Sequence, residues 1–463
     1  MPDQGAGEGL FGAIFGRGSL GTDTAWLEAL LDAEAALARA VERAGLAPAG
    51  AGEQVTAAAQ AADFDVAQLG ELAALTGNPV PGLARELARK VPASARRVVH
   101  RGATSQDIMD TAAMLLAART IDAVIRDVTT AADATAGLAA AHRGTLMIGR
   151  TLLQQAVPVT FGLVAAGWLT ALDDSRAGLE SLRAARLAVQ FGGAAGTLAS
   201  LGEDGPRVAA LFAEECGLAL PTVPWHTDRL RIIDVGSGLA RVAAALGKIA
   251  RDVTLLAQSE VGELHEGIPG DAPAGAPRRG GSSAMPNKSN PVAAISLLGC
   301  TRQVPGLLAT LTACAEQELQ RAAGSWHAEW EPFTALLRVT SSAAVWGSEL
   351  LSGLTVDSQR MAANLAATEG MPLAEHVASL LAGVLGAAEA HDLVAVAGER
   401  ALGAGLPLRD VLLGVSDFAD RLTAAGVTPE QIEAALEPAG YLGASDVFID
   451  AALAAHMKGE GDG

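Results

Sequence analysis

The stretch AAMLLAARTIDAVIRDVTTAA, residues 112–132, decides the fold class. Within it Met114, Ala118, Ile121, Ile125, Val128 and Ala132 recur at alternating spacings of four and three, which is the apolar seam of a long helix rather than the alternation of a strand. The stripe Leu239, Val242, Leu246, Ile249, Val253 and Leu256 repeats the pattern. A helical segment of about 35 residues around such a stripe runs about 50 Å. Further long helical segments are expected at about 158–190, 291–321 and 327–353.

Working outward, the patterns shorten on both sides. Before residue 112 they are short, as in Thr24 to Ala44, and are broken by Gly and Pro around 45–52 and 77–82. After about 355 they shorten again, punctuated by Gly403 to Pro407, Gly426 and Pro438 to Gly443. The expectation is an all-α chain of three helical domains, 1–111, 112–355 and 356–463, the central one a bundle of about five long helices. Composition agrees: half of the 463 residues are hydrophobic but aromatics are only 3%, a bias toward helices packed closely through Ala and other small side chains. Seams on more than one side of these helices would stay exposed in a single copy, so the chain is expected to associate. With no βαβ spacing and no GxGxxG, nucleotide-cofactor folds are disfavoured.

The formal charge of -19 works against nucleic-acid binding, which needs a basic face to displace counterions, and an anionic substrate would need a locally basic pocket. The three cysteines, Cys216, Cys300 and Cys314, have no CxxC or ligand-like spacing, so neither a disulfide framework nor a zinc site is expected. Met1 to Gly9 is acidic and Gly-rich, without the basic and apolar regions of a signal peptide. No uncharged apolar stretch reaches the roughly 18 residues of a membrane span. The expected setting is the cytoplasm, away from membrane and nucleic acid.

The segment richest in chemistry is Gly280-Gly281-Ser282-Ser283-Ala284-Met285-Pro286-Asn287-Lys288-Ser289-Asn290-Pro291, which follows a Gly/Pro-rich run from Gly267 to Pro277. It is expected to form a flexible loop ending on a long helix, with Asn290 as its cap and Pro291 in its first turn. Free N–H groups and the positive dipole end of that helix, with Lys288 beside them, could hold a carboxylate or a developing oxyanion. A serine on such a loop could act as a base once closure excludes water.

The pattern GSSxMPxKxNP resembles the signature of the fumarase/aspartase superfamily. Three further segments resemble it: His100-Arg101-Gly102-Ala103-Thr104-Ser105-Gln106-Asp107, Gly149-Arg150-Thr151-Leu152-Leu153-Gln154-Gln155-Ala156, and the Gly192 to Thr197 turn. The resemblance spans nearly the whole chain. It implies an enzyme without metal or organic cofactor that makes or breaks a bond β to the carboxylate of a small di- or tricarboxylate, through a carbanion-like intermediate. It also implies a homotetramer in which each site is assembled from three subunits.

By the same resemblance Ser282 exchanges the substrate's α-proton, and Lys288 and Asn290, with Ser283 beside them, hold a carboxylate. Thr104 and Ser105 would donate hydroxyl hydrogen bonds; read alone, Ser/Thr ahead of a helix starting near Gln106 is either a cap or an anion cradle. His100 would orient substrate or relay a proton, with Arg101 a further cation, and Arg150, Thr151 and Gln154 would line the same pocket.

One position departs from the pattern. Many members read GRTHxQ in the second segment, and that histidine protonates the leaving group; here the position is Leu152. Expulsion of an amine needs such an acid, so adenylosuccinate- and argininosuccinate-type lyase activities are not expected. Lactonisation does not need it, because the attacking carboxylate belongs to the substrate. Trp225-His226-Thr227, Trp326-His327-Ala328-Glu329-Trp330-Glu331-Pro332 and Tyr441-Leu442-Gly443 resemble the carboxymuconate-lactonising branch of the superfamily. Release of nitrite from a nitrosuccinate, yielding fumarate, stays open for the same reason. A catalytically silent helical scaffold is the remote alternative, and the intact set of Ser282, Lys288 and Asn290 speaks against it.

Overall fold

A computed structural model describes residues 9–18, 20–267, 279–281, 285 and 288–461. Ser282 and Ser283, like most of the Gly/Pro-rich run before them, lie outside the described residues. Of the described residues, 68% are helical.

Helix α1, Asp23–Arg43, begins where the Thr22 hydroxyl accepts the Ala25 N–H at 3.1 Å, a side-chain cap. Four long helices follow: α2, Ser105–Ala141; α3, Phe161–Ala185; α4, Leu230–Leu256; and, nearer the end, α7, Trp330–Ser352. Along α2 the expected seam is buried at Met114, Ala118, Ile121, Val128 and Ala132, with Ile125 half-buried. All six members of the α4 stripe are buried.

The fifth expected long helix does not run through. Residues 291–321 form α5, Val292–Thr301, and α6, Val304–Ala313, the second with Pro305 in its first turn. Proline lacks the N–H that a continuous helix would need there, and its ring crowds the preceding turn. By length and composition, residues 292–313 are apolar enough to cross a membrane, which the sequence reading had not expected. The stretch nevertheless holds Arg302 at the break between α5 and α6.

Two short antiparallel ladders were also not anticipated. Strand β1, Leu146–Thr151, pairs with β2, Gln154–Thr160, and β3, Leu264–Glu266, pairs with β4, Leu354–Val356. Both lie in connections between helices, where β-branched residues such as Val157 and Val159 favour extended backbone. The all-α class stands.

Contacts divide the chain into two units, one of residues 1–129, 174–250 and 293–348, the other of 130–173, 251–292 and 349–463. In the second, residues after β4 build their own core around Val377, Leu381, Leu393, Val411, Leu412 and Ile432. The free thiols are buried or half-buried, and burial pushes Cys216 up to about 12 and Cys300 up to about 11. Both stay protonated and unreactive at neutral pH.

Candidate active site

The first unit holds the segment His100 to Asp107 as a turn ending on α2. His100 sits in the left-handed region at φ 58. Its backbone N–H donates to Glu34 Oε2 at 2.9 Å, and its ring Nδ1 lies 2.6 Å from Glu34 Oε1. Burial pulls the His100 pKa down, but the charge and hydrogen bond of Glu34, with Asp107 behind them, outweigh it and hold the pKa above its ordinary value. Arg101 donates through Nη1 to the Leu46 carbonyl.

At the start of α2 the capping arrangement differs from a simple Ser/Thr cap. Asp107, in the first turn, accepts the Thr104 N–H at 2.9 Å through its side chain. Neither the Thr104 nor the Ser105 hydroxyl bonds to a described residue. Both therefore remain available to a ligand at a helix N-terminus, where anions are favoured.

The same Asp107 carboxylate accepts the N–H groups of Gly192 and Gly193 at 3.0 and 2.9 Å and faces His226 Nε2 at 2.7 Å. One buried anion thus fastens the His100–Asp107 turn to the Gly192–Thr197 turn. One helical turn on, Arg229 pairs with Asp110 and Glu329 at 2.8 Å each, and Trp326 Nε1 donates to Asp110 Oδ1 at 3.1 Å. Burial opposes the charge of Arg229, but its two carboxylates outweigh that and hold its pKa above the ordinary value. Glu329 is pushed upward by burial, and Arg229, shared with Asp110, does not fully offset it. His226, Trp326 and Glu329, which as sequence resembled a substrate-specific branch, thus serve as buried scaffolding beneath the turn.

The second unit holds the second segment as the β1–β2 hairpin. Thr151 pairs with Gln154, which leaves Leu152 and Leu153 as a two-residue turn with φ of 51 and 64. Such a turn favours Asn-Gly, because a side chain at positive φ crowds the backbone. Leu152 is 97% exposed in the single chain, and Thr151 and Gln154 are exposed beside it. Arg150 forms a two-pronged pair with Glu263, at 2.9 and 2.7 Å, and Asn364 Nδ2 donates to the same carboxylate at 2.7 Å. The Arg150 charge is thereby balanced within the chain, which weakens it as a carboxylate binder and makes it a strut of the hairpin.

The ends of the signature loop meet in this unit too. Gly281 and Ser289 form an antiparallel bridge, and Asn290 donates its N–H and Nδ2 to the Gly280 carbonyl at 2.8 and 3.1 Å. Asn290 therefore closes the loop's neck with its amide instead of capping α5. At Gly280, with φ 79, an added Cβ would sit 2.1 Å from the Asn290 carbonyl oxygen, so only glycine fits. Lys288 is exposed, and its N–H donates to Met285 O at 3.0 Å.

Three acidic groups, Glu34, Asp110 and Glu263, escaped the sequence reading. Glu34 was legible in principle, as a carboxylate inside the apolar stripe Leu30, Leu31, Leu37 and Val41 of α1, since a buried charge demands a partner. Glu263 carries no such signal.

The His100–Asp107 turn, the β1–β2 hairpin and the neck between Gly280 and Asn290 are the described parts of the candidate site. A family model described as lyase matches residues 18–306. The chain belongs to that family, and is an enzyme of the fumarase/aspartase superfamily. It is 46% identical to 3-carboxy-cis,cis-muconate cycloisomerase of Bradyrhizobium diazoefficiens, over 93% of this chain and 94% of that protein. It is 43% identical to nitrosuccinate lyase of Streptomyces davaonensis, over 93% of this chain and 91% of that one. Among solved structures, the 3-carboxy-cis,cis-muconate lactonizing enzyme from Pseudomonas putida superposes with a TM-score of 0.89 at 39% identity, covering 97% of this chain and 99% of that one.

Proposed function

We propose that this chain converts 3-carboxy-cis,cis-muconate into 4-carboxymuconolactone. The observation that carries the reading is end-to-end similarity to cycloisomerases of that activity, in a chain whose position 152 is leucine and offers no leaving-group acid. One substrate carboxylate adds across a double bond, forming the ring C–O bond. The displaced electron pair moves into the neighbouring carboxylate, giving an enolate-like trianion. Lys288, the amide of Asn290 and the hydroxyls of Thr104, Ser105 and Ser283 stabilise that charge, with Arg101, Thr151 and Gln154 lining the pocket and Arg150 bracing it. Ser282 then delivers a proton to the α-carbon, with net uptake of one proton from solvent. Positioning and electrostatics do the catalysis, and no metal or organic cofactor is invoked.

In this reading the enzyme is a cytoplasmic homotetramer, and the segments 100–105, 150–154 and 282–290 of different copies complete each site. The exposed apolar hairpin tip supports association.

Nitrite release from nitrosuccinate is the second reading, favoured by the Streptomyces davaonensis relative and by the same Leu152, because nitrite leaves as a stable anion. Purified protein should consume 3-carboxy-cis,cis-muconate with loss of muconate absorbance and appearance of a lactone by mass, while adenylosuccinate and argininosuccinate persist. Rapid release of nitrite and fumarate, with inert carboxymuconate, would overturn the cycloisomerase reading and install the second.

A further inference from the structure

We propose that Glu34 is the positioning residue for His100, holding the imidazole through Nδ1 so that Nε2 is the nitrogen presented to a substrate carboxylate as a charged hydrogen-bond donor. The proposal rests on the reading that His100 belongs to the site.

The argument begins with an anion out of place. The Glu34 side chain is fully buried, that of His100 a quarter exposed, and the neighbours of Glu34 along α1 are Leu30, Leu31, Leu37 and Val41. A leucine would pack there at no electrostatic cost, whereas a buried carboxylate is costly unless a cation and donors meet it. Among the described residues both hydrogen bonds to Glu34 come from His100, one from its backbone N–H and one from its ring. No other ion pair to Glu34 exists among them. The group placed to balance a charge on Glu34 is therefore the His100 ring.

The left-handed backbone of His100 allows one carboxylate to reach both groups. For a residue with a side chain it costs about 1–2 kcal/mol, and the pair of bonds to Glu34 holds it. An ionised carboxylate only accepts, so Nδ1 carries a proton. Nε2 makes no hydrogen bond to a described residue. The charged groups acting on the ring are Glu34 from α1 and Asp107 from α2. Together they outweigh the burial that opposes protonation and favour the charged, donating form of the ring.

The test compares the full-length wild type with Glu34→Gln and Glu34→Asp. Histidine labelled with 15N reports the protonation of His100, its signal assigned by its loss in His100→Gln. The expected result is an Nδ1-protonated ring whose pKa falls in Glu34→Gln and falls less in Glu34→Asp. Turnover on carboxymuconate should drop by about ten- to a hundredfold in Glu34→Gln, as for other partners that orient a functional histidine. The alkaline limb of its pH profile should move to lower pH, because the cation is lost earlier. An unchanged His100 titration would overturn the proposal, as would lower turnover with an unmoved limb, which would reduce Glu34 to packing. The titration needs no substrate, so its outcome is independent of whether carboxymuconate is the right one.

Discussion

His226 Nε2 lies 2.7 Å from the Asp107 carboxylate, joining the first turn of α2 to a residue far along the chain. Asp107 also receives three backbone N–H groups, from Thr104, Gly192 and Gly193. Replacing Asp107 with Asn sets an amide N–H against donors and removes the charge that His226 faces. The expected cost is about 1–3 kcal/mol in chemical denaturation. Turnover should fall further than stability explains, since the Thr104–Ser105 turn loses its anchor. His226→Phe should cost stability with a smaller kinetic effect, because the backbone donors keep their acceptor.

Arg229 is the cation between two buried carboxylates, Asp110 and Glu329. Arg229→Met leaves both without it and should destabilise the protein by about 3–5 kcal/mol. The sign of its pH dependence follows from linkage. Glu329 already has a raised pKa when folded, and losing Arg229 raises it further. Stability from this group is fully present below its unfolded pKa and lost as pH rises through the folded one. Thermal melts of Arg229→Met should therefore move closer to wild type on acidification from pH 7 to about pH 5. A deficit independent of pH would mean that Arg229 matters only through packing.

The leucines of the β1–β2 turn occupy backbone positions that disfavour them. Exchanging Leu152 for Asn and Leu153 for Gly should stabilise the hairpin by about 1–2 kcal/mol. If the tip serves the site, kcat/KM should decline in the same variant. Higher stability with undiminished turnover would remove both side chains from function.

Ser282→Ala should leave the fold intact by circular dichroism while lowering turnover by about a thousandfold or more. Refolded together with inactive Thr104→Val chains, it should regain part of the activity as mixed tetramers with some unaltered composite sites. Confirmed tetramers without any recovery would argue that each site is built within one chain.

The seams at Met114 to Ala132 and Leu239 to Leu256 disclosed α2 and α4 because burial of one face imposes a period on the sequence. The break at Arg302 escaped because an apolar pattern continues through it, and Pro305 reads equally well as a kink or a start. The hairpin at Leu152 and Leu153 was hidden because neither leucine is a turn former; its conformation comes from the register of β1 against β2, not from local preference.

By itself the sequence determined the helical class and the superfamily, since both reside in residue types at short spacings. Tertiary structure alone decided what each group does with its charge. Glu34 and His100 are 66 residues apart, Arg150 and Glu263 are 113 apart, and no local pattern records such a pairing. An ion's strength in a site depends on whether a counter-ion already lies within hydrogen-bond distance. That is why Arg150, a cation in the sequence, is a balanced strut in the fold, while His100, ambiguous in the sequence, holds a buried carboxylate against its ring.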